Sequence, residues 1–445
     1  MNTYALFAEH FSRLTGPKGR AGIIVPTGIA TEATTSHFFA ELQREKRIAN
    51  IFDFENRGHI FSSLHTKTKF CLLTISRAAV KQVQMCFMAT TVSDVTDTRK
   101  VFNMEAQTVA LFNPITLTLP ILRSREDARI LTDIYRGVPI LLTNAESITA
   151  WHVNFGTMFH MSNDSDSFVN HSEICLLPLF EAKMFWHFDH RWSSFSDAED
   201  EGAALNMRRD ENYEPSPRYW IAEHQVLARL SEKNWSRKWM IASRNVSDSR
   251  NERTFVTAIL PIGGLGHSGS VLALKNDDPA LASCLVANFN SLVLDFVARQ
   301  KIPGMNISYF MIEQFPILPP IYYTPEHLVF LTPRVLELTY TSHALAPFAR
   351  DLGHNGPPFA WDEPRRAQLR AELDAFFARA YNLTRDDLRY ILDPADVMGP
   401  TYPSETFRVL KDKETRTYGE YRTRRLVLSA WDAMAEDGTF KAMGM

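Results

Sequence analysis

Lys183, Arg191, Arg208, Arg209, Arg253, Arg299 and Lys301 stand near aromatic residues between positions 151 and 320. Such cations set affinity and register on DNA through its phosphates, while Arg, Asn and Gln read base edges. The stretch is expected to form a DNA groove, with Lys183, Arg191, Arg253, Arg299 and Lys301 as contact residues. The competing expectation is that each is a solvated surface cation. Asp164, Asp166, Glu181 and Lys183 suggest a second chemistry. An acidic residue followed by Glu-x-Lys holds Mg²⁺ in some nucleases and orients a water for phosphodiester cleavage, but such triplets are common by chance. The fourteen histidines contain no HExxH, and Cys71, Cys86, Cys175 and Cys284 form no CxxC pair. No metal site is therefore expected. His187 and His190 read as structural or DNA-facing. Gly263–Gly269 is rich in glycine but lacks the Lys-Ser/Thr ending of a P-loop. It reads as a tight β-turn or a loop approaching a DNA backbone.

These residues need elements to hold them. A chain of 445 residues suggests about three domains. Its net charge of −3 and 45% hydrophobic content exclude a disordered chain, a collagen-like fibre and a strongly basic nucleic-acid coat. No secretory signal pattern is visible, and the longest apolar stretches, such as Phe70–Ile75, are strand-sized. A soluble cytoplasmic protein is the expectation. Tyr4, Phe7, Ala8, Phe11 and Leu14 lie on one face of a helix that Thr15–Gly19 ends. Ala21–Val25 reads as a strand buried on both faces, and Thr34–Glu45 as an amphipathic helix. Ile48–Phe54 and Lys69–Ile75 read as strands that pair antiparallel. The order helix, strand, helix, strand, strand fits the second half of a doubly wound α/β sheet closed by an antiparallel hairpin.

Downstream, Ser124 caps a helix running to Tyr135, and Leu281–Ala298 reads as one helix. Residues 151–320 form a mixed, loop-rich domain whose tryptophans read as core. The proline-rich stretch Pro316–Pro325 is expected to be a linker. Beyond it, Asp362 caps a helix, Thr384–Asp387 is a capping box, and 405–425 reads as a solvated helix face.

Several of these segments together resemble a known family. Gly19–Thr31 (GRAGIIVPTGIAT), Asp53–Asn56 (DFEN) and Lys69–Thr74 (KFCLLT) are similar to the large adenine-specific DNA methyltransferases of bacterial restriction–modification and phage-defence systems. Pro178–Met184, Phe188–Arg191, Asn251–Thr254, Asn288–Ile302 and Tyr418–Arg425 extend the match, so it runs from about residue 4 to 432. The resemblance implies an α/β fold, with the second half of a class I methyltransferase sheet followed by an α+β target-recognition domain and a helical C-terminal segment. The implied divisions are 1–80 (partial catalytic domain), 81–150 (connecting segment), 151–320 (DNA recognition) and 326–445 (helical).

The implied activity is methyl transfer from S-adenosylmethionine to N6 of an adenine flipped out of duplex DNA. Phe61 is implied as the residue that stacks on the flipped base, although a loop Phe more often anchors its own hairpin. Phe54, Glu55 and Asn56 are candidates to line the same pocket. The chain departs from the family in two ways. It has no Phe-x-Gly-x-Gly turn to hold the donor, and no Asn/Asp-Pro-Pro-aromatic motif in place to polarise the adenine amine. No catalytic or cofactor-binding residue is therefore expected in this chain. The missing half would come from a separate chain or the rest of a split or truncated gene product. Two rival readings are a non-catalytic DNA-binding specificity subunit and a Mg²⁺-dependent nuclease.

Overall fold

In the computed structural model, residues 2–142, 150–195, 201–248, 250–275, 278–302, 304–402 and 404–445 are described. The chain forms two units. The first comprises Met1–Val138, Arg299–Pro303 and Asp393–Thr406; the second comprises Pro139–Ala298, Gly304–Leu392 and Phe407–Met445.

The first unit is built in the order α1 (Thr3–Leu14), β1 (Arg20–Pro26), α2 (Gly28–Thr31), α3 (Ser36–Arg44), β2 (Ile48–Glu55), β3 (Lys69–Ser76), β4 (Gln82–Ala89), β5 (Phe102–Glu105), α4 (Ala106–Phe112) and α5 (Arg125–Gly137). Its five strands are ordered β1-β3-β2-β4-β5. β3 runs antiparallel to both β1 and β2, from Arg20↔Ser76 and Ile48↔Ile75 onward, so the expected antiparallel pairing is present. β2 then pairs parallel with β4, and β4 antiparallel with β5. The boundary expected at residue 80 is therefore absent, because β4 and β5 continue the same sheet. Where β2 and β4 shift register between Phe52 and Phe54, Met88 takes φ 55°. Asp53 holds that left-handed residue by accepting its N–H at 3.1 Å. The boundary expected near 150 adjoins positions 143–149, which lie outside the described residues.

β1 is not the doubly buried strand its composition suggested. It is an edge strand and, of its residues, only Val25 is buried; Ile24 is 59% exposed. α1 shows the same inversion. Its inner side is Ala8 and Ser12, the latter clasped by Arg47, which donates to Ser12 O and Oγ at 3.1 and 2.9 Å. Its apolar residues face outward, with Phe7 58% and Leu14 67% exposed. A flat, apolar strand edge beside an apolar helix face is a feature that folded proteins ordinarily cover.

Among its described residues the second unit has two sheets. β6 (Val153–Gly156), β7 (Leu176–Phe180), α6 (Glu201–Arg208), β8 (Trp220–Ala222), α7 (Glu223–Ser231), β9 (Trp239–Arg244), β10 (Thr257–Pro261), β11 (Gly264–Leu265), β12 (Gly269–Leu274), α8 (Pro279–Phe289) and α9 (Leu292–Lys301, whose last three residues fall in the first unit) follow in order. One sheet is β10-β9-β12-β6, antiparallel throughout; the other is β11-β7-β8. The glycine-rich run holds the tight β-turn read from the sequence, with Gly269 N donating to Gly266 O at 2.9 Å between β11 and β12. β11 lies parallel to β7, and a Cβ on Gly263 would meet Pro178 O at 2.8 Å.

The single helix expected over 281–298 is two helices bent by 58°. Asn290 explains the break: its side chain binds Thr257 N, Oγ1 and O and so leaves the helical path. Ser291 Oγ and Asp374 then accept the first amides of α9. Among the described residues, no single helix is long and apolar enough to cross a membrane.

Pro316–Pro325 is not a linker. Ile317 is buried, Ile317 N donates to Pro139 O, and Pro316 O accepts from Tyr381 Oη at 2.7 Å. Pro316–Leu318 and Tyr323 belong to the second unit's core, whereas Ile321 is exposed; the helices Pro325–Thr339 and Glu363–Ala380 belong to that unit, and Pro394–Met398 to the first, so the residues after the stretch are not a separate region. The expected caps form as read. Ser124 accepts from Asp127 N, Asp362 from Arg365 N, and Thr384 with Asp387 closes a reciprocal box.

Candidate nucleic-acid interface

The DNA-contact residues expected from sequence separate into two groups. Arg191 is 1% exposed and donates to four backbone carbonyls: Asp210 and Tyr213 through Nη1, Arg208 and Thr341 through Nη2. Arg299 is buried and donates to Thr406 O. Lys301 is buried, with Nζ at 2.8 Å from Phe112 O and 2.7 Å from Tyr135 Oη, and burial depresses its pKa well below that of an ordinary lysine. These three cannot meet a phosphate, because each tip is spent on interior acceptors. The sequence pattern of a cation among aromatics does not separate such interior anchors from surface contacts.

Lys183 and Arg253 do come together. They line a cavity of about 660 Å³ in the second unit, with Arg208, Arg366 and Arg370 on other parts of the wall. The 182–195 segment supplies Lys183, Trp186 and Trp192. The helix that Asp362 caps, Glu363–Ala380, supplies Arg366 and Arg370 one turn apart, and Trp361 precedes its cap. Trp361, Arg366 and Arg370 were missed from sequence. The available signal was that i, i+4 arginine pair beginning just after a tryptophan.

The cavity wall carries an excess of positive charge. Seven Lys or Arg residues line it against five carboxylates. The carboxylates are engaged: Asp189 with Arg208 at 3.3 Å, Glu252 with Lys413 at 3.1 Å, Glu363 with Arg370 at 2.7 Å, and Glu414 by Thr423 N and Oγ1. Asp374 accepts Leu292 N, and desolvation pushes its carboxyl up to about 6. Burial lowers Arg366 to about 10 and keeps His187 neutral, with His187 Nε2 3.2 Å from Phe255 O. His190 is interior too, bound to Ser342 Oγ at 2.9 Å.

A prediction follows from Asp374. Its folded-state pKa lies above the ordinary aspartate value, so the folded state binds the proton more tightly. That contribution is full below pH ~4 and is lost as pH rises to about 6, amounting to at most about 3 kcal/mol. Asp374→Asn keeps an acceptor for Leu292 N and is expected to be more stable than wild type at pH 7, the difference shrinking towards pH 4. Urea unfolding at the two pH values checks this; an equal difference at both contradicts it.

The base-pocket candidates lie in the first unit. Asn56 is fully buried and pins the following loop. Its Oδ1 accepts Phe61 N, and its Nδ2 donates to Phe61 O and Leu64 O at 2.9 and 3.0 Å. Phe54 is buried and stacks on Phe70 at 5.2 Å. Phe61, half-buried, meets the Phe70 ring edge-on at 5.0 Å, as an anchor of its own loop would. Glu55 is buried and faces Arg57 Nε at 2.9 Å.

The nuclease residues do not converge. Asp164 faces Arg229 at 3.5 Å, Glu181 faces Arg218 at 3.7 Å, and Lys183 lies over Phe195 at 4.1 Å. Among the described residues, no group of three or more His, Cys, Asp or Glu could hold a metal. After β1, a Cβ on Gly28 would meet the Glu32 carboxylate at 2.5 Å, and Thr27 Oγ1 donates to Asp53.

No protein-family model matches the chain, and no curated protein matches it. Two solved structures are similar over most of it. The type IIG restriction endonuclease BpuSI aligns at 12% identity and TM-score 0.30, covering 84% of this chain and 48% of its own. The type IIL restriction-modification enzyme MmeI, solved in complex with DNA, aligns at 11% identity and TM-score 0.38, covering 97% and 49%. The chain spans about half the length of each.

Proposed function

We propose that this chain is the DNA-recognition and base-pocket portion of a restriction–modification-type, site-specific DNA adenine-N6 methyltransferase. The methyl donor, S-adenosylmethionine, would be held by polypeptide beyond these 445 residues. The observation that carries the reading is the uncovered side of the first unit. β1 offers free backbone groups along its outer edge, and Phe7, Phe11, Leu14 and Ile24 lie exposed beside it. A sheet in this state accepts further strands and a helical layer. The cationic cavity of the second unit supports DNA as the partner, since phosphate neutralisation supplies most of the affinity of such proteins. In this reading Phe61 stacks on the flipped adenine beside Phe54, Glu55 and Asn56.

A second reading is a non-catalytic DNA-binding specificity subunit. It is supported by the lack of a Phe-x-Gly-x-Gly donor turn in the sequence. Both readings require DNA binding by the chain alone. In fluorescence anisotropy with a labelled duplex, affinity is expected to fall linearly with salt on logarithmic axes, by about 0.9 per phosphate neutralised. Absence of salt-sensitive binding at about 50 mM salt would overturn both.

A further inference from the structure

Six side chains on or beside the cavity, three cations and three rings, form one stack. Arg244 lies 4.4 Å from the centre of Trp186, which stacks on Trp192 at 5.2 Å. Arg208 sits between Trp192 and Trp361 at 4.8 and 5.0 Å, and Arg366 covers Trp361 at 3.7 Å. All three tryptophans are half-buried and line the cavity, so their rings are neither sealed in a core nor free on the surface. The ring faces are already covered by guanidinium groups or a neighbouring ring, so an entering base meets this arginine–tryptophan stack at its edges and at its guanidinium ends, surfaces on which nucleobases also pack.

The polar inventory of the wall points the same way. Four of its buried side-chain atoms make no hydrogen bond: Trp361 Nε1, Arg366 Nε, Arg422 Nε and Arg253 Nε, the last facing the Asp295 carboxylate at 3.8 Å. All four are N–H donors. The carboxylates, by contrast, are engaged, as described above. A wall with surplus donors and positive charge suits an occupant that brings acceptors and negative charge. Arg366 adds a buried guanidinium whose hydrogen bond goes to a neutral carbonyl, Leu338 O. Lys183 stands exposed at the rim. The volume, about 660 Å³, falls in the range of small-ligand sites.

We infer that this cavity receives a single nucleotide, its base against the arginine–tryptophan stack and its phosphate on Lys183, Arg366 and Arg370. The inference rests on the DNA reading only for the nucleotide's source, which is either a free nucleoside phosphate or one unpaired nucleotide of a DNA strand.

The test is titration of the full 445-residue chain with 2′-deoxyadenosine 5′-monophosphate, followed by tryptophan fluorescence and calorimetry. Saturable binding with quenching is expected. Deoxyadenosine and inorganic phosphate, each lacking half of the recognised chemistry, should bind at least about tenfold more weakly. Lys183→Ala, at an exposed position that leaves the fold intact, should weaken the mononucleotide by about tenfold, as should Arg366→Lys. Equal binding of inorganic phosphate and the mononucleotide would overturn the proposal, as would no effect of either substitution. Duplexes with one unpaired 2-aminopurine then separate the sources. Mononucleotide competition for the unpaired site assigns the nucleotide to DNA; mononucleotide binding without that competition assigns it to the free pool. If neither probe binds while duplex DNA still binds in a salt-sensitive way, the cavity inference fails and the DNA reading stands.

Discussion

Arg191→Ala is expected to destabilise the chain by about 3–5 kcal/mol, without acting as the loss of a DNA contact. The guanidinium is 1% exposed and gathers four carbonyls from the 208–213 segment and Thr341 at 2.6–3.1 Å. Removing it leaves those carbonyls short of a donor in a site too closed for water to replace all four. Arg191→Lys should lose nearly as much, because one ammonium cannot reproduce a planar fork spanning four acceptors. Denaturant unfolding reports the loss, and anisotropy at a temperature where the variant stays folded reports DNA affinity. Unchanged stability with weakened DNA binding would restore Arg191 to the interface and remove it from the core.

The Arg191 case shows where a linear reading of the chain fails. Apolar periodicity located α1, α3 and the β2–β3 pairing, and cap chemistry located the starts of α5 and of the 363–380 and 385–392 helices. Those signals are local, so they survive any tertiary arrangement. Burial of a cation is not local. Arg191, Arg299 and Lys301 are spent on carbonyls 17 to 189 positions away, and no spacing rule encodes that distance. The Pro316–Pro325 stretch misled for the same reason, since proline excludes helix but not core. Three of the seven cavity cations, Lys183, Arg208 and Arg253, were legible. Arg366 and Arg370 arrive from the helix that Asp362 caps, read only for its cap, and Lys413 and Arg422 from the 405–425 stretch, read as a solvated helix face.

Replacing Phe7 and Phe11 together with Glu is expected to leave the isolated chain as stable as wild type, within about 0.5 kcal/mol. Both rings are about half exposed on the outer side of α1, Phe7 at 58% and Phe11 at 42%. The same change should weaken association with any polypeptide that completes the sheet by about thirtyfold, since burying the exposed half of two Phe side chains contributes about 2 kcal/mol. Sedimentation of the chain with a donor-half polypeptide measures association, and thermal unfolding of the chain alone measures stability. A large loss of stability in the isolated variant would mean that the α1 face is already covered within this chain.

The most direct measurement is methyl transfer itself. The chain would be incubated with duplex DNA and S-adenosylmethionine labelled in its methyl group, with and without a polypeptide carrying the glycine-rich turn and the Asn/Asp-Pro-Pro-aromatic motif. N6-methyladenine is predicted only when both polypeptides are present. Methylation by the 445 residues alone, or none from the folded pair, would contradict the account.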